Sequence, residues 1–342
     1  MVDAQYAPME MRAVDAIPEG PAWQYEPKWD GFRALVHRDG DRVAITSKNG
    51  QPLARYFPEV VAALAALGAD GFSLDGELVV PVAGAFSFDT LQQRIHPAAS
   101  RVQMLARKTP ALYLVFDLLR EEGADRVGEP LERRREALER FMHANAEEHG
   151  TLRLSPATRD RAVVDRWFAE VGGALDGVIA KRLGVPYASG RRDAAVKIKK
   201  QRTADCVVGG FCYAAGSTDR VGSLMLGLYD DAGLLDYIGF CSSFSTAERR
   251  ALLERLLPHA GGSGFTGGAP GDAPSRWSRD PERDRSYVAL APELVLEVGF
   301  DQVTGGRIRH GTRPLRWRTD KAPRSCTVDQ LETAGAVLSL IR

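Results

Sequence analysis

Across 342 residues the chain is 44% hydrophobic and 26% charged, and 45 Lys plus Arg balance 45 Asp plus Glu. These are the proportions of a globular protein long enough for two domains with separate cores. No apolar run reaches membrane-span length, the opening Met-Val-Asp-Ala-Gln-Tyr lacks the blocks of a signal peptide, and Cys206, Cys212, Cys241 and Cys326 form no Cys-x-x-Cys pair. The expectation is a cytoplasmic protein with neither a disulfide framework nor a zinc site.

Taken in chain order, Phe32-Arg33-Ala34-Leu35-Val36 alternates like a strand, Arg38-Asp39-Gly40-Asp41 supplies turn chemistry and Val43-Ala44-Ile45 resumes, so residues 28–50 read as strands around a hairpin. Pro58 to Leu67 has helical spacing. Phe72 to Val82 is strand-like and broken by Gly76, and Leu112 to Leu119 reads as a buried strand. Leu131 to His143 and Asp160 to Val171 read as amphipathic helices. The pattern to about Arg202 is that of an α+β domain. Beyond it come short strands at Val207–Phe211, Ser223–Tyr229 and Leu234–Phe240, a helix from Thr246 to Leu257, a Gly/Pro-rich loop from Gly261 to Arg285, and a strand from Glu293 to Phe300. These short strands with one helix fit a five-stranded Greek-key barrel of the OB type, which commonly grips nucleic acid.

The neutral total hides an uneven charge distribution. Lys197 to Arg202 reads Lys-Ile-Lys-Lys-Gln-Arg, and Arg307 to Lys321 carries seven basic side chains, His310 included, against one acid. A neutral protein with such a basic face can track phosphates.

A series of motifs runs in order along this framework: Lys28-Trp29-Asp30-Gly31, inside Glu-Pro-Lys-Trp-Asp-Gly-Phe-Arg; Ser47-Lys48-Asn49-Gly50; Leu74-Asp75-Gly76-Glu77; Tyr113-Leu114-Val115-Phe116-Asp117; Asp176-Gly177-Val178-Ile179-Ala180-Lys181; Lys197-Ile198-Lys199; and Arg313 to Lys321. A lysine amine attacks phosphorus well once it has shed its proton, which neighbouring cations favour. Gly31 would let the backbone turn beside a nucleotide. Glu77 leaves a strand and, with Asp176, offers the two carboxylates that Mg²⁺ takes alongside phosphate oxygens and water. Lys197 and Lys199 alternate about Ile198 and share one strand face, where two cations suit a phosphate whose charge must be neutralised.

The series resembles the ATP-dependent DNA ligases, in particular the minimal two-domain bacterial type, ligase C-like, and it spans almost the whole chain. The stretch Val298 to Gly306 leading into Arg309-His310-Gly311 is also similar to that group. The resemblance implies a nucleotidyltransferase (ATP-grasp-like ligase) adenylation domain at residues 1–202 and an OB-fold domain at 203–342, without the helical DNA-binding domain of larger ligases. Lys28 is then the nucleophile that takes AMP from ATP. Glu26, Arg33, Lys48, Glu77, Phe116, Arg192, Lys197, Lys199, Arg318 and Lys321 bind ATP, with the Phe116 ring stacked on adenine. Glu77 and Asp176 hold Mg²⁺ or Mn²⁺, although family members carry Glu at 176, Arg at 48 and often Trp where Val196 stands. Arg313, Arg316, Arg318, Asp320 and Lys321 form the final motif, which orients pyrophosphate. The expected partners of this monomer are nicked double-stranded DNA and break-repair proteins at the nucleoid, with no membrane. RNA ligases, GTP-using capping enzymes and a silent DNA-end-binding module remain as alternatives.

Overall fold

The computed structural model describes residues 6–147, 150–171, 175–199, 202–270, 287–301, 303–308, 311–331 and 337–341. Two compact units divide the chain: Met1–Lys200 together with Thr333–Arg342, and Gln201–Glu332. The change of unit at 200/201 lies two residues from the expected boundary at 202/203. The segment from Thr333 belongs with the first unit, not with the barrel as expected.

The first unit runs β1 (Arg12–Ala13), β2 (Trp23–Lys28), β3 (Phe32–Asp39), β4 (Arg42–Ser47), α1 (Pro58–Ala65), β5 (Gly71–Val79), β6 (Pro81–Val82), β7 (Ala85–Phe86), α2 (Phe88–Gln93), α3 (Ala99–Lys108), β8 (Leu112–Glu121), β9 (Ala124–Asp125), α4 (Leu131–Asn145), β10 (Leu152–Leu154), α5 (Arg161–Val171), β11 (Gly177–Arg182) and β12 (Ala195–Lys199). One sheet has the order β1-β12-β11-β2 and the other β10-β8-β5-β3-β4, with β9 beside β8. Ala34, Val36, Leu74, Leu78, Tyr113 and Val115 bury the larger sheet against Val60 and Leu64 of α1 and Leu138, Phe141 and Met142 of α4. An ion pair is buried with this core. Arg134 of α4, 1% exposed, donates to both oxygens of Asp117 at 2.8 and 3.1 Å. A second core packs Tyr25, Trp29, Val178, Ala180 and Ile198 of the smaller sheet's region against Val164 and Trp167 of α5, and Ile341 of the 3₁₀ turn Val337–Ile341 joins it.

Gly76 does not break its strand. β5 runs through it, with a register shift against β8 between Asp75 and Gly76, because the Tyr113 ring fills the space where a side chain would stand. Glu77 therefore lies inside a strand and not at its end.

The second unit holds β13 (Arg202–Tyr213), β14 (Val221–Tyr229), β15 (Leu235–Cys241), α6 (Thr246–Leu256), β16 (Val288–Ala289), β17 (Val295–Phe300), β18 (Val303–Thr304), β19 (Arg307–Ile308) and β20 (Arg313–Trp317). Five strands follow the order β15-β14-β13-β17-β20, and a parallel bridge from Cys241 to Thr312 joins the two edges, closing the sheet in the OB manner. α6 starts on a capping box, Ser245 with Glu248. All four cysteines are unbridged. Part of the expected loop (271–286), Lys200, Gln201, Gln302, Arg309 and His310 lie outside the described residues. Among the described residues no helix is long and apolar enough to cross a membrane.

Candidate active site

Strand pairing explains how residues 148 positions apart meet. β11 lies between β2 and β12, and Gly177 is opposite Lys28 on one side and Lys199 on the other. That register brings Asp176, just ahead of β11, to the end of β2, where the Lys28 ammonium donates to its carboxylate. Gly177 cannot be larger, since a Cβ there would run into the Ile198 carbonyl oxygen. Burial, and then the charges of Lys28, Lys199, Lys48 and Arg192, hold the Lys197 ammonium below the usual lysine range. Four of the expected cations thus stand close enough to act on Lys197.

Gly31 answers to a close approach and not to a turn: a Cβ would enter the Leu78 carbonyl oxygen and lie 2.9 Å from the Glu77 Cγ. β3 and β5 pair Arg33 with Glu77. Burial, opposed by the charges of Lys28 and Arg33 and helped by those of Asp75 and Asp30, pushes the Glu77 carboxyl up to about 8. Arg33 itself forks onto Asp75 at 3.0 and 2.6 Å and donates to the Met9 carbonyl at 2.5 Å. Tyr187 completes this knot, donating to Asp75 at 2.7 Å and accepting from the Met9 amide at 2.9 Å.

On β8, Val115 and Asp117 are buried whereas Phe116 is half-buried, so its ring keeps part of its surface open. The Arg33 guanidinium carbon is 5.5 Å from the ring centroid and the Lys181 ammonium 4.7 Å. Glu26 is not open in the same way. It is 3% exposed, paired with Lys181 at 2.8 Å, and accepts from Gln24 at 3.0 Å. At the rim, Glu10 accepts from Arg192 at 2.5 Å and faces Lys48 at 3.6 Å; these two cations hold its carboxyl below the usual range.

The final motif lies on the second unit, on and after β20. Arg316 donates to Glu297 at 2.5 Å. Arg318 donates to both oxygens of Asp205 at 2.8 and 3.0 Å and to both of Asp320 at 2.9 Å, and Lys321 lies 3.5 Å from Asp205. The Arg318 contacts draw the Asp320 carboxyl down to about 2. Arg313 is exposed on β20.

The first unit thus brings together Lys28, Glu77, Asp176, Lys197, Lys199, Lys48, Arg192, Arg33 and Phe116. Sequence reasoning assigned no role to Glu10, Asp75, Lys181, Tyr187 and Asp205. Asp75 and Lys181 stand inside motifs it singled out, whereas Glu10 and Asp205 carry no local signal. No group of three or more His, Cys, Asp or Glu able to hold a metal occurs among the described residues. Glu77 and Asp176 both stand beside Lys28, and the under-compensated Glu77 carboxyl suits a cation that also takes phosphate oxygens.

The chain was also compared with known proteins. Residues 6–199 match the family model described as ATP dependent DNA ligase domain, and residues 217–321 that described as ATP dependent DNA ligase C terminal region. DNA ligase C of Mycobacterium tuberculosis is 43% identical over 95% of this chain and 93% of its own length. DNA ligase C1 of Mycolicibacterium smegmatis is 45% identical over 95% and 93%. The multifunctional non-homologous end joining protein LigD of Pseudomonas aeruginosa is 34% identical over 93% of this chain and 37% of its own. A solved structure of a Lig E DNA ligase shares the fold, with a TM-score of 0.53 at 16% identity over 90% of this chain and 99% of that one.

Proposed function

This chain belongs to the ATP-dependent DNA ligase family and seals nicks in double-stranded DNA at the expense of ATP, and from that premise we propose that Lys28 is the residue that carries AMP. The reading rests on one observation: Lys28 ends β2 in contact with Asp176, with Glu77 and Lys197 close by. The Lys28 amine attacks the α-phosphate of ATP, so that a nitrogen–phosphorus bond forms as the bond to pyrophosphate breaks. AMP then passes to the 5′-phosphate at a nick, and the adjacent 3′-hydroxyl displaces it as the phosphodiester forms.

In this reading Lys197 and Lys199, with Arg33, Lys48 and Arg192 nearby, meet the phosphates. Phe116 receives adenine, while Glu26, expected to meet ATP, is buried against Lys181. Glu77 and Asp176 would hold Mg²⁺ or Mn²⁺, which when bound neutralises charge on the phosphates. Arg313, Arg316, Arg318, Asp320 and Lys321 orient pyrophosphate as leaving group. The setting we propose is DNA break repair, at the nucleoid in the cytoplasm, for a monomer working with repair proteins; the likeness to an end-joining protein supports the break-repair part of it.

The test is transfer of label. ATP labelled at the α-phosphate is expected to mark the protein and then nicked DNA, EDTA to stop both, and labelled GTP to mark neither. Equal labelling by GTP, or labelling untouched by EDTA, would contradict the assignment of base and metal.

A further inference from the structure

Glu10 has no task in the reaction as described, yet it stands between two cations that meet phosphates in that reaction. One carboxylate oxygen accepts from the Arg192 guanidinium at 2.5 Å, and the other lies 3.6 Å from the Lys48 ammonium. The backbone holds the acid in this place. The Glu10 amide donates to the Arg191 carbonyl at 2.8 Å, next to Arg192 itself. Its neighbour Met9 is 3% exposed; the Met9 amide donates to the Tyr187 hydroxyl at 2.9 Å, and the Met9 carbonyl accepts from Arg33 at 2.5 Å. The side chains are left more open than the backbone that carries them. Glu10 is 26% exposed, Lys48 51% and Arg192 71%, so a ligand can reach the pair and exchange with it. Lys48 and Arg192 also act on the Lys197 ammonium, which places this trio beside the cations around Lys28.

We propose that Glu10 is an affinity-setting residue, a built-in rival for the phosphate that Lys48 and Arg192 take: an arriving phosphate must displace its carboxylate from both cations. Guanidinium and ammonium groups grip carboxylate and phosphate through the same N–H donors, so the two anions compete for one place. Ion pairs this exposed are weak, and the rival therefore lowers affinity a few fold without closing the site. The phosphate belongs either to ATP or to the 5′ end at a nick. The inference rests on Lys48 and Arg192 being phosphate ligands.

Glu10→Gln keeps the shape of the side chain and removes its charge. Two arms separate the sources of phosphate. The first measures KM for ATP in adenylation. The second compares binding of a nicked duplex ending in a 5′-phosphate with binding of the same nick ending in a 5′-hydroxyl, in EDTA and without ATP. A fall in KM of about threefold or more assigns the phosphate to ATP, and a rise of about threefold or more in preference for the 5′-phosphate assigns it to DNA. Either is the expected result. The deciding comparison repeats both arms in a background of Lys48→Met with Arg192→Met. There Glu10→Gln should change each quantity by less than about 1.5-fold, because the cations through which it acts are gone. No change in either arm of the first comparison, or an equal effect in both backgrounds, overturns the inference. A raised KM or a lost preference overturns it too, and would make Glu10 a support that orients the two cations. Failure of Lys48→Met with Arg192→Met to weaken either arm would instead remove the phosphate role of these cations, and the inference with it.

Discussion

At the scale of single residues, the site is governed by charges that lack full compensation. Glu77 is the sharpest case, its carboxyl pushed up to about 8 by burial, with Asp75 and Asp30 adding to the push. The unfolded chain releases this proton near the ordinary 4.5 and the folded chain keeps it to about 8. Stability must therefore fall as pH rises through that window and level off above it. Without nucleotide or divalent cation, Glu77→Gln is expected to gain several degrees of Tm over wild type between pH 5 and pH 9. A difference that does not vary with pH would show that Glu77 is ionised throughout. The sequence made Glu77 legible through its motif, but only three-dimensional burial creates its strained charge. Glu10, which ties Arg192 to Lys48 from more than thirty positions away in the chain, was invisible for the same reason. A salt bridge has no periodicity and no local residue pattern to betray it.

At the scale of elements, alternation and turn chemistry made the β3–β4 hairpin, β8 and the helices α1, α4 and α6 legible to within a few residues. β2 and β11 were not read as strands, although the motifs they carry were. β2 holds Gln24, Glu26 and Lys28 among apolar neighbours and is almost wholly buried, so the alternation that marks a half-buried strand is lost. The terminal segment was misassigned because its partner is remote. Leu338, Leu340 and Ile341 pack with Trp29 and Phe86, far back in the chain, and nothing local to residues 337–341 announces that. Ile341 is 7% exposed, and Ile341→Asp would place a carboxylate in an apolar core at a cost of about 2–4 kcal/mol. We expect a lower urea midpoint and weaker adenylation, since Trp29 adjoins Lys28. A midpoint equal to that of wild type would separate this turn from the first unit's core.

At the scale of the whole molecule, the roles proposed above divide catalysis between two units, and the division is testable by step. The first unit holds Lys28 and the acids; the second holds Arg318, clasped by Asp205 and Asp320. If the final motif orients pyrophosphate, Arg318→Ala should lower adenylation from ATP by about tenfold or more, while sealing of a nick that already carries 5′-AMP changes little. Equal loss of both steps would place Arg318 in DNA binding instead. The central claim is narrower still, and one measurement addresses it most directly. Wild-type protein is incubated with ATP and divalent cation, its intact mass is taken, and the added AMP is located by peptide mapping. A single AMP on Lys28, absent from a folded Lys28→Ala variant that still seals a pre-adenylated nick, is the predicted result. AMP on another residue, or full adenylation of Lys28→Ala, would contradict it.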